Sequence, residues 1–318
     1  MKIEDLFLQS TQNKVPEQLY QPIEYTLMQP GKRVRPRLVM LSTQLFGGDE
    51  KEAVYIAASF EMLHNFTLIH DDIMDKAPIR RNKETVYKKW DSNIAILSGD
   101  ALATMALQQI LASGLEYDKK FEITDLFART SIEVCEGQQY DLNFESSAEV
   151  TIAEYLSMIR LKTAVMLAGC LKAGAIIGAA PEEEKQKIYD FGIFLGLAFQ
   201  LKDDLLDLYA DHDLFGKKKG MDIQDNKKTY LYLKALEDAS ETQRTALLDI
   251  FSEKGMDLDE KVSRISAIYE KLNIKGKTET LIEEYVVKAL QKLDEINVVP
   301  ENKTTLREFT QQLSTRNK

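Results

Sequence analysis

Apolar residues recur at three- and four-residue spacing through most of this 318-residue chain, and stretches of alternating apolar and polar residues are nearly absent. A helix buries one stripe along its length and a strand buries every second residue, so this pattern predicts an all-α fold. The periodic segments run roughly from Glu17 to Met28, Arg37 to Leu45, Glu50 to Asp75, Asn93 to Ser113, Glu122 to Asp141, Ile152 to Ile177, Glu182 to Asp207, Lys228 to Leu236, Glu241 to Phe251, Leu258 to Leu272, Glu279 to Leu293 and Thr305 to Leu313. Helix breakers fall between them, at Pro30-Gly31, Gly47-Gly48, Pro181 and Pro300. Thr151 with Glu154 three residues on reads as a capping box. No stretch looks like a linker, so residues 1–318 read as a single domain. Two long polar, basic loops interrupt the pattern, from Lys76 to Lys89 and from Asp211 to Lys227.

Charge narrows the function. Lys+Arg is 41 and Asp+Glu is 51, a net charge of -10, which argues against a nucleic-acid partner. The positive charge is concentrated at Lys32-Arg33-Arg35-Arg37, Arg80-Arg81-Lys83, Lys88-Lys89 and Lys217-Lys218-Lys219, as local anion sites require. Cys135 and Cys170 are too few for a disulfide scaffold and read as buried small hydrophobes. Glu4 and Asp5 precede any apolar run, unlike a signal peptide, and the most apolar stretch, Ala164 to Ala180, contains Lys172. The expectation is a cytoplasmic protein without stable membrane insertion.

Two of the predicted helices end on acids spaced alike. Asp71-Asp72-Ile73-Met74-Asp75 ends one, and Asp203-Asp204-Leu205-Leu206-Asp207 ends the other. Residues i and i+4 lie only about 40° apart around a helix, so each group clusters its carboxylates. Such clusters repel unless a cation joins them, and oxygen-only ligands select hard ions such as Mg²⁺, which takes one or two carboxylates plus phosphates. One such motif is commonplace on solvated helices. Two, each followed by Arg or Lys, suggest a layered arrangement of carboxylate, metal, phosphate and cation.

Further motifs follow in order along the chain: Gly31-Lys32-Arg33-Val34-Arg35-Pro36, His64 through Asp75 with Arg80-Arg81, Gly99-Asp100-Ala101-Leu102, Gly137-Gln138, Lys162-Thr163, Phe199-Gln200 through Asp207, Gly216-Lys217, Gly220, Asp222 and Asp225-Asn226-Lys227. Through them the sequence resembles the trans-isoprenyl diphosphate synthases of the polyprenyl synthetase family, in particular the short-chain geranylgeranyl and farnesyl type. Pro30, Asn82 and Glu84 depart from the family pattern and affect loop conformation, not charge.

The resemblance implies an isoprenoid-synthase-type helical bundle around a central cavity, with the two acidic groups facing each other across it. It implies magnesium-dependent, head-to-tail condensation of isopentenyl diphosphate with an allylic diphosphate. By that resemblance Asp71 and Asp75 bind two Mg²⁺ ions and Asp203, with Asp207 close by, a third; Asp72 and Asp204 stand behind them. Arg80, Lys162, Lys217 and Lys227 contact the allylic diphosphate, and Lys32, Arg35, His64 and Arg81 hold isopentenyl diphosphate. Thr163 and Gln200 supply neutral dipoles to the allylic cation, and the departing diphosphate takes the proton. The chemistry agrees, because diphosphate leaves only as its charge is neutralised. The family further implies a homodimer, for which Ala101 to Ile110 offers an apolar face; the tail Arg316-Asn317-Lys318 reads first as a frayed end and second as a closure for the site.

His64 lies seven residues before Asp71, hence about 20° from its stripe, whereas His70 faces elsewhere and His212 reads as solvated. Phe66, five residues before Asp71, occupies the family's product-length gate, with Thr67 beside it. A lone ring there favours geranylgeranyl diphosphate, with farnesyl diphosphate second. Gly196, seven before Asp203, leaves room for the prenyl tail or permits close helix packing. Trp90 and the tyrosines read as core or surface filler. Two other readings compete: a class I terpene cyclase, which usually lacks a second aspartate-rich motif, and a non-catalytic subunit that kept the fold.

Overall fold

A computed structural model describes residues 2–147, 149–210, 220–253 and 255–315. Along the described residues run α1 (Ile3–Thr11), α2 (Glu17–Leu27), α3 (Val34–Leu45), α4 (Glu50–Met74), β1 (Ile79–Arg80), β2 (Lys83–Glu84), α5 (Val86–Lys89), α6 (Ser92–Ala112), α7 (Tyr117–Ser146), α8 (Ile152–Ile159), α9 (Val165–Ile177), α10 (Glu182–Tyr209), α11 (Met221–Gln224), α12 (Tyr230–Asp238), α13 (Glu241–Ser252), α14 (Leu258–Lys271), α15 (Ile274–Glu295) and α16 (Pro300–Thr315). The fold is all-α.

The long helices stand where periodicity predicted them, and the short elements do not. α1 is an addition: Leu6 and Phe7 are buried, and Asp5 accepts the Lys2 N–H at 2.8 Å to close the first turn. The expected loop from Lys76 to Lys89 is an antiparallel hairpin followed by the helical turn α5. Arg81 and Asn82 form the tip of that hairpin at φ 52° and 60°, the left-handed pair of a tight hairpin turn. The usual Asn-Gly signal is missing, so the hairpin is invisible in the sequence. Part of the second expected loop is the helical turn α11.

The stretch from Ile152 to Ile177 is not one regular helix. The predicted capping box is present, with Thr151 N–H donating to Glu154 Oε2 at 2.8 Å and Glu154 N–H to Thr151 Oγ1 at 3.2 Å. A π-helical turn, Arg160–Ala164, then separates α8 from α9. Such turns insert an extra residue and re-aim the side chains on them; here those include Lys162 and Thr163.

The chain divides into two compact units. One comprises residues 1–131, 166–189 and 296–305, the other 132–165, 190–295 and 306–318. The first is organised on α4, which packs chiefly on α6 and α3. Every residue from Ile56 to Leu63 is buried, so the centre of α4 is enclosed on all sides and only its C-terminal turns open out. In the second unit Tyr155, Leu201, Leu205, Leu247, Ile265 and Tyr269 share a core. Gly196 lies in it against Ala164: a Cβ on Gly196 would fall 2.4 Å from Ala164 Cα, so close helix packing is the reading the structure supports for this glycine.

Among the described residues α6 alone is long and apolar enough to cross a membrane, and 44% of its apolar stretch is buried within the protein. Cys170 is buried as expected, and burial pushes its thiol well up. Cys135 is exposed, contrary to expectation, because it lies on an outward face of α7.

Candidate active site

The first acidic group occupies the last turn of α4, where the Asp75 N–H reaches the Asp71 carbonyl at 2.8 Å and the Ala77 N–H reaches that of Asp72 at 3.0 Å. Helix C-termini carry partial negative charge, so three carboxylates are placed where the fold least favours them. They are not equivalent. Asp71 is half-buried and Asp75 exposed, while Asp72 is buried and accepts from Arg80 Nε at 2.6 Å. Burial raises the Asp72 carboxyl to about 6 against the pull of Arg80, with Asp71 and Asp75 adding to the rise.

The hairpin brings Arg80 and Arg81 back to the same unit's cationic cluster. The Arg81 guanidinium lies beside Gly31, its Cζ 3.5 Å from where a Cβ would stand. Burial lowers the Arg81 pKa, Glu61 opposes that, and Arg33, Arg80 and Arg35 add to it. His64 is held well below its ordinary pKa, first by burial, then by Arg35, Arg81, Arg80 and Arg33. It is therefore neutral and able to donate one hydrogen bond among cations. Arg35 is half-buried with Nε 2.9 Å from Met166 Sδ, and Lys32 is exposed. Thus Arg35, His64, Arg80 and Arg81 belong to one electrostatic group.

Arg33 does a separate task. At φ 48° it precedes α3, donating to Glu61 Oε1 at 2.6 Å and to the carbonyls of Leu27 and Gln29 at 2.6 and 3.1 Å. It ties the end of α2 to α4 through a buried carboxylate. No local pattern marks Glu61 for this role.

Phe66 and Thr67 lie half-buried on α4. The Phe66 ring meets His70 edge to face at 4.9 Å, and His70 Nε2 lies 3.1 Å from the Ile96 carbonyl of α6. Thr67 donates to the His64 carbonyl at 2.8 Å.

The second unit holds Lys162, Thr163, Gln200, Asp203, Asp207 and Lys227. Gly137 lets the π-helical turn approach α7: a Cβ there would fall 2.3 Å from the Lys162 nitrogen. Lys162 Nζ then reaches Asp141 Oδ2 at 2.5 Å. The acids of α10 repeat the pattern of α4. Asp203 and Asp207 are half-buried, while Asp204 is buried and accepts from the Tyr155 hydroxyl and from Gln200 Nε2. Burial raises Asp204 to about 6, and both hydrogen bonds oppose the rise. Asp207 Oδ2 accepts the Asp222 N–H at 3.0 Å. Burial, Asp207 and Asp204 push the Asp222 carboxyl well up, and Lys227, with Nζ 4.0 Å from Asp222 Oδ1, counters them. Lys217, His212 and Arg316-Asn317-Lys318 lie outside the described residues.

No sequence pattern singles out Tyr155 or Asp141, and by sequence the tyrosines are filler. Tyr155 instead donates to a buried acid of the second motif. The available signal was its position seven residues before Lys162, on the helix leading into that motif.

A model of the polyprenyl synthetase family matches residues 16–272. The chain belongs to that family. Among polyprenyl synthetase relatives, a short chain isoprenyl diphosphate synthase of Methanothermobacter thermautotrophicus is 40% identical over 242 residues, covering 76% of this chain and 74% of its own. A geranylgeranyl diphosphate synthase of Sulfolobus acidocaldarius is 35% identical over 297 residues, covering 93% and 89%. A crystal structure of a geranylgeranyl pyrophosphate synthase superposes with a TM-score of 0.94 at 43% identity, covering 99% of this chain and 96% of that one.

The polyprenyl synthetase family acts in general on isopentenyl and allylic diphosphates and depends on magnesium. The donors here suit that ion. They are carboxylate oxygens, and among the described residues no three His, Cys, Asp or Glu side chains converge enough to hold a metal unaided. A site of this kind is completed by phosphate oxygens, as Mg²⁺ prefers.

Proposed function

We propose that this chain is a magnesium-dependent, short-chain trans-prenyltransferase that condenses isopentenyl diphosphate head to tail with dimethylallyl, geranyl or farnesyl diphosphate, giving chiefly geranylgeranyl diphosphate. The observation that carries the reading is the repeated acidic helix end: in each, the middle acid is buried and hydrogen-bonded, while its neighbours stay accessible to solvent. Carboxylates at the negative end of a helix are poor structural choices, and they suit cation binding.

Asp71, Asp75, Asp203 and Asp207 would hold three Mg²⁺ ions, which when bound neutralise the diphosphate as it leaves. Arg80, Lys162, Lys217 and Lys227 bind the same diphosphate. Lys32, Arg35, Arg81 and neutral His64 hold the isopentenyl diphosphate. Thr163 and Gln200 present neutral oxygen to the allylic cation, where a carboxylate would be alkylated. The isopentenyl double bond attacks that cation, and the proton lost from the adduct passes to the released diphosphate. Phe66 and Thr67 limit the chain. The enzyme works as one polyprenyl synthetase domain spanning 1–318 and as a cytoplasmic homodimer.

The test is incubation with Mg²⁺, isopentenyl diphosphate and each allylic starter, followed by chromatography of the products. Geranylgeranyl diphosphate from all three starters supports the proposal. A hydrocarbon formed from geranylgeranyl diphosphate alone would point to a cyclase, and no turnover with any starter to a non-catalytic subunit.

A further inference from the structure

Four side chains of the second unit form one continuous hydrogen-bonded line. The Tyr155 hydroxyl on α8 donates to Asp204 Oδ2, Gln200 Nε2 donates to Asp204 Oδ1 at 2.9 Å, and Thr163 Oγ1 donates to Gln200 Oε1 at 2.9 Å. The line starts deep in the core, with Tyr155 only 2% exposed. A carboxylate has no hydrogen to give, so both neighbours of Asp204 must turn donors to it. Gln200 therefore points its NH₂ at Asp204 and its oxygen at Thr163. Thr163 spends its single hydrogen on that oxygen, and the lone pairs of Oγ1 form its remaining face. If Gln200 were reversed, Thr163 would accept from the NH₂ and present its hydrogen instead. The electrical direction of the whole line is thus set from its buried end.

We propose that Tyr155 is a positioning residue for prenyl transfer: by occupying Oδ2 of Asp204 it keeps the carboxylate oriented so that Gln200 and Thr163 offer oxygen, not hydrogen, to the allylic cation. This rests on the reading that Thr163 and Gln200 stabilise that charge. A merely structural Tyr155 would affect folding stability and nothing else, because its ring already belongs to the core.

The experiment compares Tyr155→Phe, Thr163→Ala and the double variant with the wild type at pH 7.5, in steady-state kinetics with both diphosphates and in urea unfolding. Removing a hydroxyl that orients an active group should lower kcat about 10–100-fold, with KM for both substrates close to wild type. The double variant should lose little more kcat than Thr163→Ala alone, because the line is already broken. Asp204→Asn serves as a second route should Tyr155→Phe unfold: an amide there can donate, so kcat should fall at least as far. Unchanged kcat in Tyr155→Phe, or losses that multiply in the double variant, would overturn the role of Tyr155. Unchanged kcat in Thr163→Ala, or a wild type without turnover, would overturn the functional reading beneath it.

Discussion

Arg80 Nε sits 2.6 Å from Asp72 Oδ1, so the middle acid of the first motif is bound by the hairpin and not turned to solvent like Asp75. The same acid in sequence terms is a different group in physical terms. Asp71→Asn should lower kcat about 10²–10³-fold, as expected for removing a transition-state electrostatic partner, with little change in stability. Asp72→Asn should in addition be at least as stable as the wild type at pH 7.5, because burial disfavours the Asp72 charge more than Arg80 favours it and the amide carries none. Steady-state kinetics and urea midpoints on both variants separate the two effects, and a lower midpoint for Asp72→Asn than for the wild type at pH 7.5 would contradict the distinction.

His64 should stay neutral well below pH 6.5, since burial and four arginines all disfavour its charged form. A depressed folded pKa means that its contribution to stability is complete above about 6.5 and is lost as pH falls through the folded value. Imidazole NMR signals followed downward from pH 7.5 should show this residue still neutral at pH 6.5, where an unperturbed imidazole is half protonated. Replacement by Gln, a neutral donor, should raise KM for isopentenyl diphosphate less than replacement by Leu, which removes a hydrogen bond of about 1 kcal/mol.

Phe66→Ala should lengthen the product. Deleting the ring opens space on α4 beside His70, and chromatography should show prenyl chains longer than those of the wild type. An unchanged length distribution would remove Phe66 from the gate and leave it a packing residue.

Asp72 and Asp204 are both raised to about 6 from 3.8, so between those values the folded state holds more protons than the unfolded one. Their contribution to stability is complete below about pH 4 and is lost as pH rises through about 6. In metal-free protein, the stability of wild type relative to Asp204→Asn should decline over that window. A difference that is flat or rises with pH would contradict the shift.

Gly137→Ala should destabilise the enzyme by about 1–3 kcal/mol through overpacking, although alanine gains about 1 kcal/mol in helix propensity. The added Cβ would strike the backbone at Lys162, so kcat should fall with stability; a more stable, fully active variant would argue against the close approach.

Much of this protein was legible in its sequence. Three- and four-residue spacing identified the long helices because each buries one stripe or is wholly enclosed, as α4 is between Ile56 and Leu63. Repeated acid spacing and the ordered motifs pointed to the family because metal and diphosphate chemistry demand those residue types. Tertiary structure alone decided the rest. Arg81 and Asn82 turn a hairpin without glycine, and the π-helical turn at Lys162 depends on Gly137, a residue of another helix. It also sorted each acidic motif into accessible and buried members, because burial and hydrogen-bond partners are set by other elements: Arg80 is turned back onto Asp72 by the hairpin, and Tyr155 reaches Asp204 from a helix 49 residues earlier.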